Sequence, residues 1–401
     1  MNTHNNKSQH PILKTLRHSI FLVSFPFGII AFILPIYSKN LGASAFEIGL
    51  LFFVFLIVPT VVRPFIGPFL DRWGRRPFLL IGLFGYVLAM IVFCFSNSIP
   101  LLGMARFLQG LGQALFWIAA NTIVADLASA TGRGFNFGLI DEAVNRGAII
   151  GTFLGISMIF AFQSLHVSWR QIWFWLFILY TLPAFLSLGT AWRGIPETRP
   201  HAATSVKMRI PLSGQLMTLL VIVFLSGIST FMIWPMLMIF LQDILKAQFN
   251  QIALAYVPAA LIGAFLPSRM GRLTDRYGRK KMIIAGLLSS ALSSAVVPQL
   301  QSLLPLSILW AIQSLAAAAA NPAELALLAD IAGEDVRGTV YGFFTFSFFL
   351  GGALGAGAGG WLYDHTGFAV PFYLNTFFMI IGCFLVHFIL RETMKPVPKN
   401  T

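Results

Sequence analysis

The chain has 401 residues, 57% hydrophobic and 10% charged, with a net charge of +13. A soluble domain carries about 25% charged residues, so this composition excludes a water-soluble globular protein and calls for roughly a dozen lipid-facing helices of about 20 residues each. The basic excess does not mark a nucleic-acid binder, because Lys and Arg lie in alternate short loops rather than in one patch.

In chain order, residues 1–16 are polar and the first apolar run extends from Ser19 to Tyr37. It is too long for a signal-peptide core and no small-residue cleavage site follows, so it reads as a spanning helix. Pro26, Gly28 and Pro35 predict a kink in it. Further apolar runs cover 47–66, 79–97, 101–124, 138–161 and 171–191. A polar stretch from Arg193 to Pro211 reads as a linker, 193–212, between two halves, 1–192 and 213–401. The second half repeats the pattern at 213–242, 251–269, 282–299, 302–327, 338–362 and 367–390. The expected fold is therefore an all-α polytopic membrane protein with twelve transmembrane helices, six per half.

The loops give an orientation. Both ends of the chain, the linker and the loops at Asp71, at 126–133, at Asp275 and at 330–337 hold nearly all the loop Lys and Arg. The opposite loops hold only Lys39, Arg170 and Lys246. The positive-inside rule then places both termini in the cytoplasm, in a plasma (inner) membrane.

One loop occurs twice. Gly67–Pro77 reads Gly-Pro-Phe-Leu-Asp-Arg-Trp-Gly-Arg-Arg-Pro, and Gly271–Lys280 reads Gly-Arg-Leu-Thr-Asp-Arg-Tyr-Gly-Arg-Lys. Gly67, Asp71, Arg72, Gly74 and Arg75 match Gly271, Asp275, Arg276, Gly278 and Arg279, each 204 residues on. At the same offset Gln109 matches Gln313, Asp126 matches Asp330, and Gly147, Gly151 and Gly155 match Gly351, Gly355 and Gly359. A constant offset through several helices and loops means two parallel six-helix repeats.

With these motifs in hand, the chain resembles the major facilitator superfamily of secondary transporters, and within it the twelve-helix drug-efflux type. Gly67–Arg76 is similar to that family's loop between helices two and three, with Phe69 where Leu is usual and Leu273 in the second copy. Arg106-Phe-Leu-Gln109-Gly110 resembles its helix-four signature. The resemblance implies a gate. Asp71 would face the start of helix eleven near Gly338, Arg75 would pair with Asp126, Arg279 with Asp330, and Asp275 would face the start of helix five near Gly138. The alternative reading of these loops is a topology anchor, which accounts for the Arg and Lys but not for Asp and Gly at fixed spacing.

The glycines four residues apart on helices five and eleven form a small face, either a static packing seam or a sliding surface. Proton-coupled exporters of this resemblance usually carry a Gly-Pro there. Here Thr152 follows Gly151.

A transported molecule is rarely two-fold symmetric, so polar groups that break the repeat are the candidates for substrate or ion. Arg106 stands opposite Trp310, Gln113 opposite Ala317, Trp117 opposite Asn321, and Asn121 opposite Leu325. Glu324 stands opposite Ala120, Glu142 opposite Phe346 and Arg146 opposite Leu350. Gln109, Gln313 and Trp234 complete the set. Arg106 is either functional or snorkels to the interface. Glu142 and Arg146, four apart, form either a static pair or a coupling pair, with Glu142 the first choice as proton carrier and Glu324 the second.

No phosphate loop is present, the seven His show no metal spacing, and no loop would hold an enzyme domain. Cys94 and Cys383 lie in separate apolar runs and suggest no disulfide. The expectation is a non-enzymatic, cofactor-free monomer in contact with membrane lipids. It would move a small molecule by alternating access, as proton-coupled efflux of amphiphilic or drug-like compounds. Proton-coupled uptake of a sugar or organic acid, and a transport-inactive sensor or lipid-binding protein on the same fold, are the alternatives.

Overall fold

The computed structural model describes residues 11–127, 133–198, 213–266, 270, 278–332 and 337–392, and these are helical with short connections. The first span is made of α1 (Pro11–Val23) and α2 (Phe25–Asn40). It starts eight residues before the expected Ser19, and it breaks at Ser24 rather than bending as one helix. The break has two causes. Pro26 has no N–H for the ladder and its ring crowds the preceding turn, while Ser24 Oγ donates back to Ile20 O at 2.7 Å.

Then follow α3 (Ala45–Trp73), α4 (Arg75–Phe95), α5 (Ile99–Leu127), α6 (Arg133–Ser164) and α7 (Trp169–Gly194). The second set is α8 (Gly214–Asp243), α9 (Phe249–Phe265), α10 (Arg279–Val296), α11 (Leu303–Ala332), α12 (Arg337–Thr366) and α13 (Val370–Phe388). Among the described residues eleven spans are long and apolar enough to cross a bilayer, with α1 and α2 counted as one; α9 is apolar but shorter, at 17 residues.

The chain forms two compact units, Met1–Gly42 with Val54–Ser205, and Ala43–Phe53 with Val206–Thr401. In the first, Leu16, Ile20, Leu79, Leu83, Phe116 and Ile123 are fully buried. Here α4 and α5 meet through small residues: a Cβ at Gly82 would stand 2.4 Å from Phe116 N, and one at Gly112 3.0 Å from Tyr86 N. In the second, Leu219, Ile222, Ile283 and Ala323 are fully buried, with Leu216 and Leu327 nearly so.

The two glycine stripes do the same work in each unit. A Cβ at Gly147 would lie 2.2 Å from Phe21 O, one at Gly151 2.0 Å from Phe25 O, and one at Gly155 2.1 Å from Tyr180 Oη. In the second unit a Cβ at Gly351 would lie 2.1 Å from Phe224 O, one at Gly355 2.3 Å from Ile228 O, and one at Gly359 2.8 Å from Met232 Cγ. The first and second glycines of each stripe thus press α6 on the first span, and α12 on α8, backbone to backbone. Only glycine permits so close an approach.

In the second unit the start of α3 is fully capped. Ser44 Oγ accepts from Glu47 N at 3.1 Å, and Glu47 Oε2 accepts from Ser44 N at 2.9 Å, a reciprocal capping box. Asp364, near the end of α12, accepts from Ala45 N at 3.1 Å and Phe46 N at 2.7 Å. A carboxylate at a helix N-terminus also meets the positive end of the helix dipole. Glu47, at the start of a spanning helix, is one half of this cap.

Candidate functional site

The duplicated loops build two similar clusters, one in each unit. In the first, Gly74 has φ +93°, a left-handed conformation open to glycine, and it separates α3 from α4. The turn brings Arg75 inward. Its side chain is 6% exposed, and Nε donates to Asp126 Oδ2 at 3.0 Å. Nη1 donates to Leu70 O at 3.3 Å. In the second unit Gly278 has φ +96°. Arg279 Nη1 is ion-paired with Asp330 and donates to Ala326 O at 2.9 Å. Both Arg–Asp pairs implied by the family resemblance are therefore present as contacts. The other gate residues lie elsewhere. Arg72 is exposed and Gly67 is half-buried. The side chain of Asp71, the surroundings of Gly338, and the whole of Gly271, Asp275 and Arg276 lie outside the described residues.

Each cluster holds a carboxylate that the sequence reading missed. Glu197 accepts from Arg75 N at 2.9 Å and Arg76 N at 3.1 Å, capping α4. Glu392 accepts from Arg279 N at 3.3 Å and Lys280 N at 3.1 Å, capping α10. Glycine at position 74 or 278 has no side chain to cap the helix that follows, so the cap is borrowed from the end of the same half. The signal was a Glu-Thr pair closing each half, Glu197-Thr198 and Glu392-Thr393. It escapes a search at a fixed offset of 204 because these pairs are 195 apart, as Glu197 is from Glu392. Glu197→Ala is expected to lower stability by about 0.5–2 kcal/mol, the range for loss of a helix N-cap, and Glu197→Gln by less. Thermal denaturation of the purified protein reads both.

The substrate candidates divide by burial. Arg106 is 3% exposed; Nη1 donates to the equally buried Gln109 Oε1 at 2.9 Å, and the guanidinium lies 4.4 Å from the Phe55 ring centroid. Snorkelling does not describe it, because the charge is turned into the unit and stabilised by a cation–π contact. Gln113, Trp117, Gln313 and Trp234 are half-buried, whereas Asn121 and Asn321 are exposed. Trp234 stands edge-on to Tyr256 at 5.8 Å, and Tyr256 edge-on to Trp310 at 5.4 Å. Glu142 and Arg146 are ion-paired, with side chains 44% and 69% exposed. Glu324 is half-buried, and α11 runs past it for two further turns, so it does not border the loop.

A duplicated, polytopic helix bundle with parallel repeats is an architecture of secondary transporters. The model of the Major Facilitator Superfamily matches residues 19–217 and 219–401, and the chain belongs to that family. Multidrug resistance protein 2 of Bacillus subtilis (strain 168) is 24% identical over 383 residues, 93% of this chain and 94% of that protein. Quinolone resistance protein NorA of Staphylococcus aureus (strain MSSA476) is 23% identical over 222 residues, 54% of this chain. That match spans 56% of NorA, a little over half its length. Among solved structures, a bacterial homologue of the human lysosomal transporter Spinster, inward-facing and occupied, superposes with TM-score 0.70 at 15% identity, covering 95% of this chain and 97% of that one. The human organic anion transporter MFSD10 gives TM-score 0.66 at 18% identity, covering 95% and 100%. These likenesses show the same fold.

Proposed function

We propose that this member of the family is a secondary active transporter that works by alternating access and exports small amphiphilic or drug-like compounds in exchange for protons moving down their gradient. The observation that carries the export reading is the near full-length similarity to Multidrug resistance protein 2. The duplicated Arg–Asp–Glu clusters support the alternating-access part: a mere topology anchor needs basic residues, not an Arg–Asp ion pair behind a positive-φ glycine in each unit. The basic loops face the cytoplasm, so in this reading the clusters hold the cytoplasmic ends of the helices in the plasma membrane, and the working unit is a monomer.

For coupling, Glu324 takes precedence over Glu142. A proton carrier has to change its surroundings during the cycle. Glu142 is exposed beside Arg146, whereas Glu324 is half-buried in α11. An ionisable residue inside a spanning helix is functional by default.

The test uses inside-out membrane vesicles, a cationic amphiphilic dye and an amphiphilic carboxylate dye. Uptake driven by an imposed pH gradient is expected for at least one of them, and is expected to vanish when the gradient is dissipated. Glu324→Gln should retain downhill exchange and lose gradient-driven accumulation, while Glu142→Gln keeps both. Accumulation that ignores the gradient, or survives in Glu324→Gln, overturns the coupling assignment.

A further inference from the structure

Helix α3 is divided between the two units: Ala45–Phe53 belongs to the second, and the rest, from Val54 on, to the first. By sequence the whole helix is part of the first repeat. Its first turns are docked on α12 by contacts of two kinds. Asp364 accepts from Ala45 N and Phe46 N. Beside that cap, a carbonyl of each helix lies over a glycine of the other. A Cβ at Gly49 would stand 2.3 Å from Ala356 O, and one at Gly360 2.3 Å from Ala45 O.

The repeat separates the ordinary part of this arrangement from the special part. At the offset of 204, Ser44 and Glu47 correspond to Gln248 and Gln251, and Gln251 Oε1 accepts from Gln248 N at 2.9 Å. The local cap is thus kept in both halves. The docking contacts are not. Gly49 corresponds to Ala253, Gly360 to Ile156, and Asp364 to Phe160, which has no acceptor for an amide. A docking built at one of two related places serves something that the fold does not require twice.

Its chemistry is that of a contact made to part. The bond from Phe46 N is exposed and that from Ala45 N half-buried, so water can take over both amides once α12 withdraws. At Gly49 and Gly360 the nearest atoms are all backbone, so no side chain has to leave a hole. A carboxylate in the last turn of α12 is also disfavoured by the dipole of its own helix. The N-terminus of α3 offsets that only while the two helices are docked.

We infer that Ala45–Phe53 of α3 and the Ala356–Asp364 stretch of α12 form a latch, shut in this conformation and open in the alternate one, at the end of α3 remote from Gly74. The latch rests on the alternating-access reading and adds a releasing group to it: Asp364 lets go of the α3 amides.

The experiment is the rate at which a polar maleimide labels Ile48→Cys in purified full-length protein carrying Cys94→Ala and Cys383→Ala. Ile48 is fully buried in the docked turns, so the thiol reacts only when the latch opens. Labelling is expected to be slow with the latch unaltered and at least about fivefold faster with Asp364→Ala, in keeping with loss of a helix cap. Asp364→Asn keeps the shape but accepts at one atom only, and should fall between. Gly360→Ala pushes α3 off α12 and should speed labelling too, which keeps the test open if Asp364→Ala does not fold. Glu47→Ala removes only the local cap and should leave the rate near that of the unaltered latch. Leu306→Cys in α11, equally buried in the same unit, should stay unlabelled throughout. Rates unchanged in both Asp364→Ala and Gly360→Ala overturn the inference, as does an Ile48→Cys thiol that never reacts with the latch unaltered. So does a Glu47→Ala rate equal to that of Asp364→Ala, which makes the cap merely structural, or Leu306→Cys labelling in step with Ile48→Cys, which means unfolding. No substrate or gradient is present, so failure of proton-driven transport in vesicles, with this labelling pattern intact, counts against coupled export and not against the latch.

Discussion

Gly151→Ala is expected to cut the yield of folded, monodisperse protein sharply and to lower the melting temperature of what remains by many degrees. In a helix the change alone would stabilise by about 1 kcal/mol. Here the new Cβ would stand 2.0 Å from Phe25 O and 2.5 Å from both Phe25 C and Cα, all backbone atoms of the first span. No rotamer can relieve that contact, so α6 must move away. The movement also strains the hydrogen bond from Tyr180 Oη to Gly151 O, 2.8 Å long and buried. Overpacking of a close contact costs about 1–3 kcal/mol, and more where only backbone can yield. Gly138→Ala on the same helix is the control, because among the described residues nothing lies within 4 Å of its Cβ position; it should be neutral or stabilising. Size-exclusion profiles and thermal melts of the pair decide the matter. A Gly151→Ala protein as stable as Gly138→Ala would mean that the two helices do not pack as described.

The second large effect is expected at Asp126. Asp126→Ala removes the carboxylate from beside a guanidinium whose side chain is 6% exposed, Asp126 itself being 16% exposed. Breaking a buried pair by removing one partner costs roughly 3–5 kcal/mol, because the remaining charge stays in a poor environment. Asp330→Ala should cost clearly less. Arg279 is 14% and Asp330 37% exposed, so solvent screens that pair. A double-mutant cycle on Arg75 and Asp126, with Arg75→Ala and Asp126→Ala measured singly and together, separates their coupling from packing losses. A coupling near zero, or a greater loss for Asp330→Ala, would show that burial does not set the strength of these pairs.

Much of this was open to reading from the sequence, for a physical reason. Lipid imposes long apolar runs, so the spans declare themselves, and a duplication displays its paired motifs side by side. The Arg75–Asp126 and Arg279–Asp330 contacts could be named in advance because the family resemblance implies the first and the repeated motif carries it over to the second. What escaped was of another kind. Glu197 and Glu392 lie outside the main offset. Asp364 caps α3 from a helix more than 300 residues away in sequence, and no local pattern announces such a contact. The break at Ser24 was misread as a bend because Pro26 alone is compatible with either; the Ser24 hydroxyl tips the balance.

The glycine stripes also limit how the two halves can have drifted since they were one sequence. Between the stripe positions the copies have diverged: Ala148 stands against Gly352, Thr152 against Ala356, Ile156 against Gly360. At Gly147, Gly151, Gly351 and Gly355 a carbonyl oxygen of the facing helix occupies the place of any side chain. Gly155 is bounded by side chains, nearest that of Tyr180, which can be exchanged together with it, whereas Gly359 meets Met232 Cγ at 2.8 Å and also Met232 O at 2.9 Å. A duplicated gene of this design therefore carries five codons that cannot change singly without moving a facing backbone, and one, at Gly155, that can change in concert with a neighbour. Divergence toward new cargo must come from the other faces of α6 and α12.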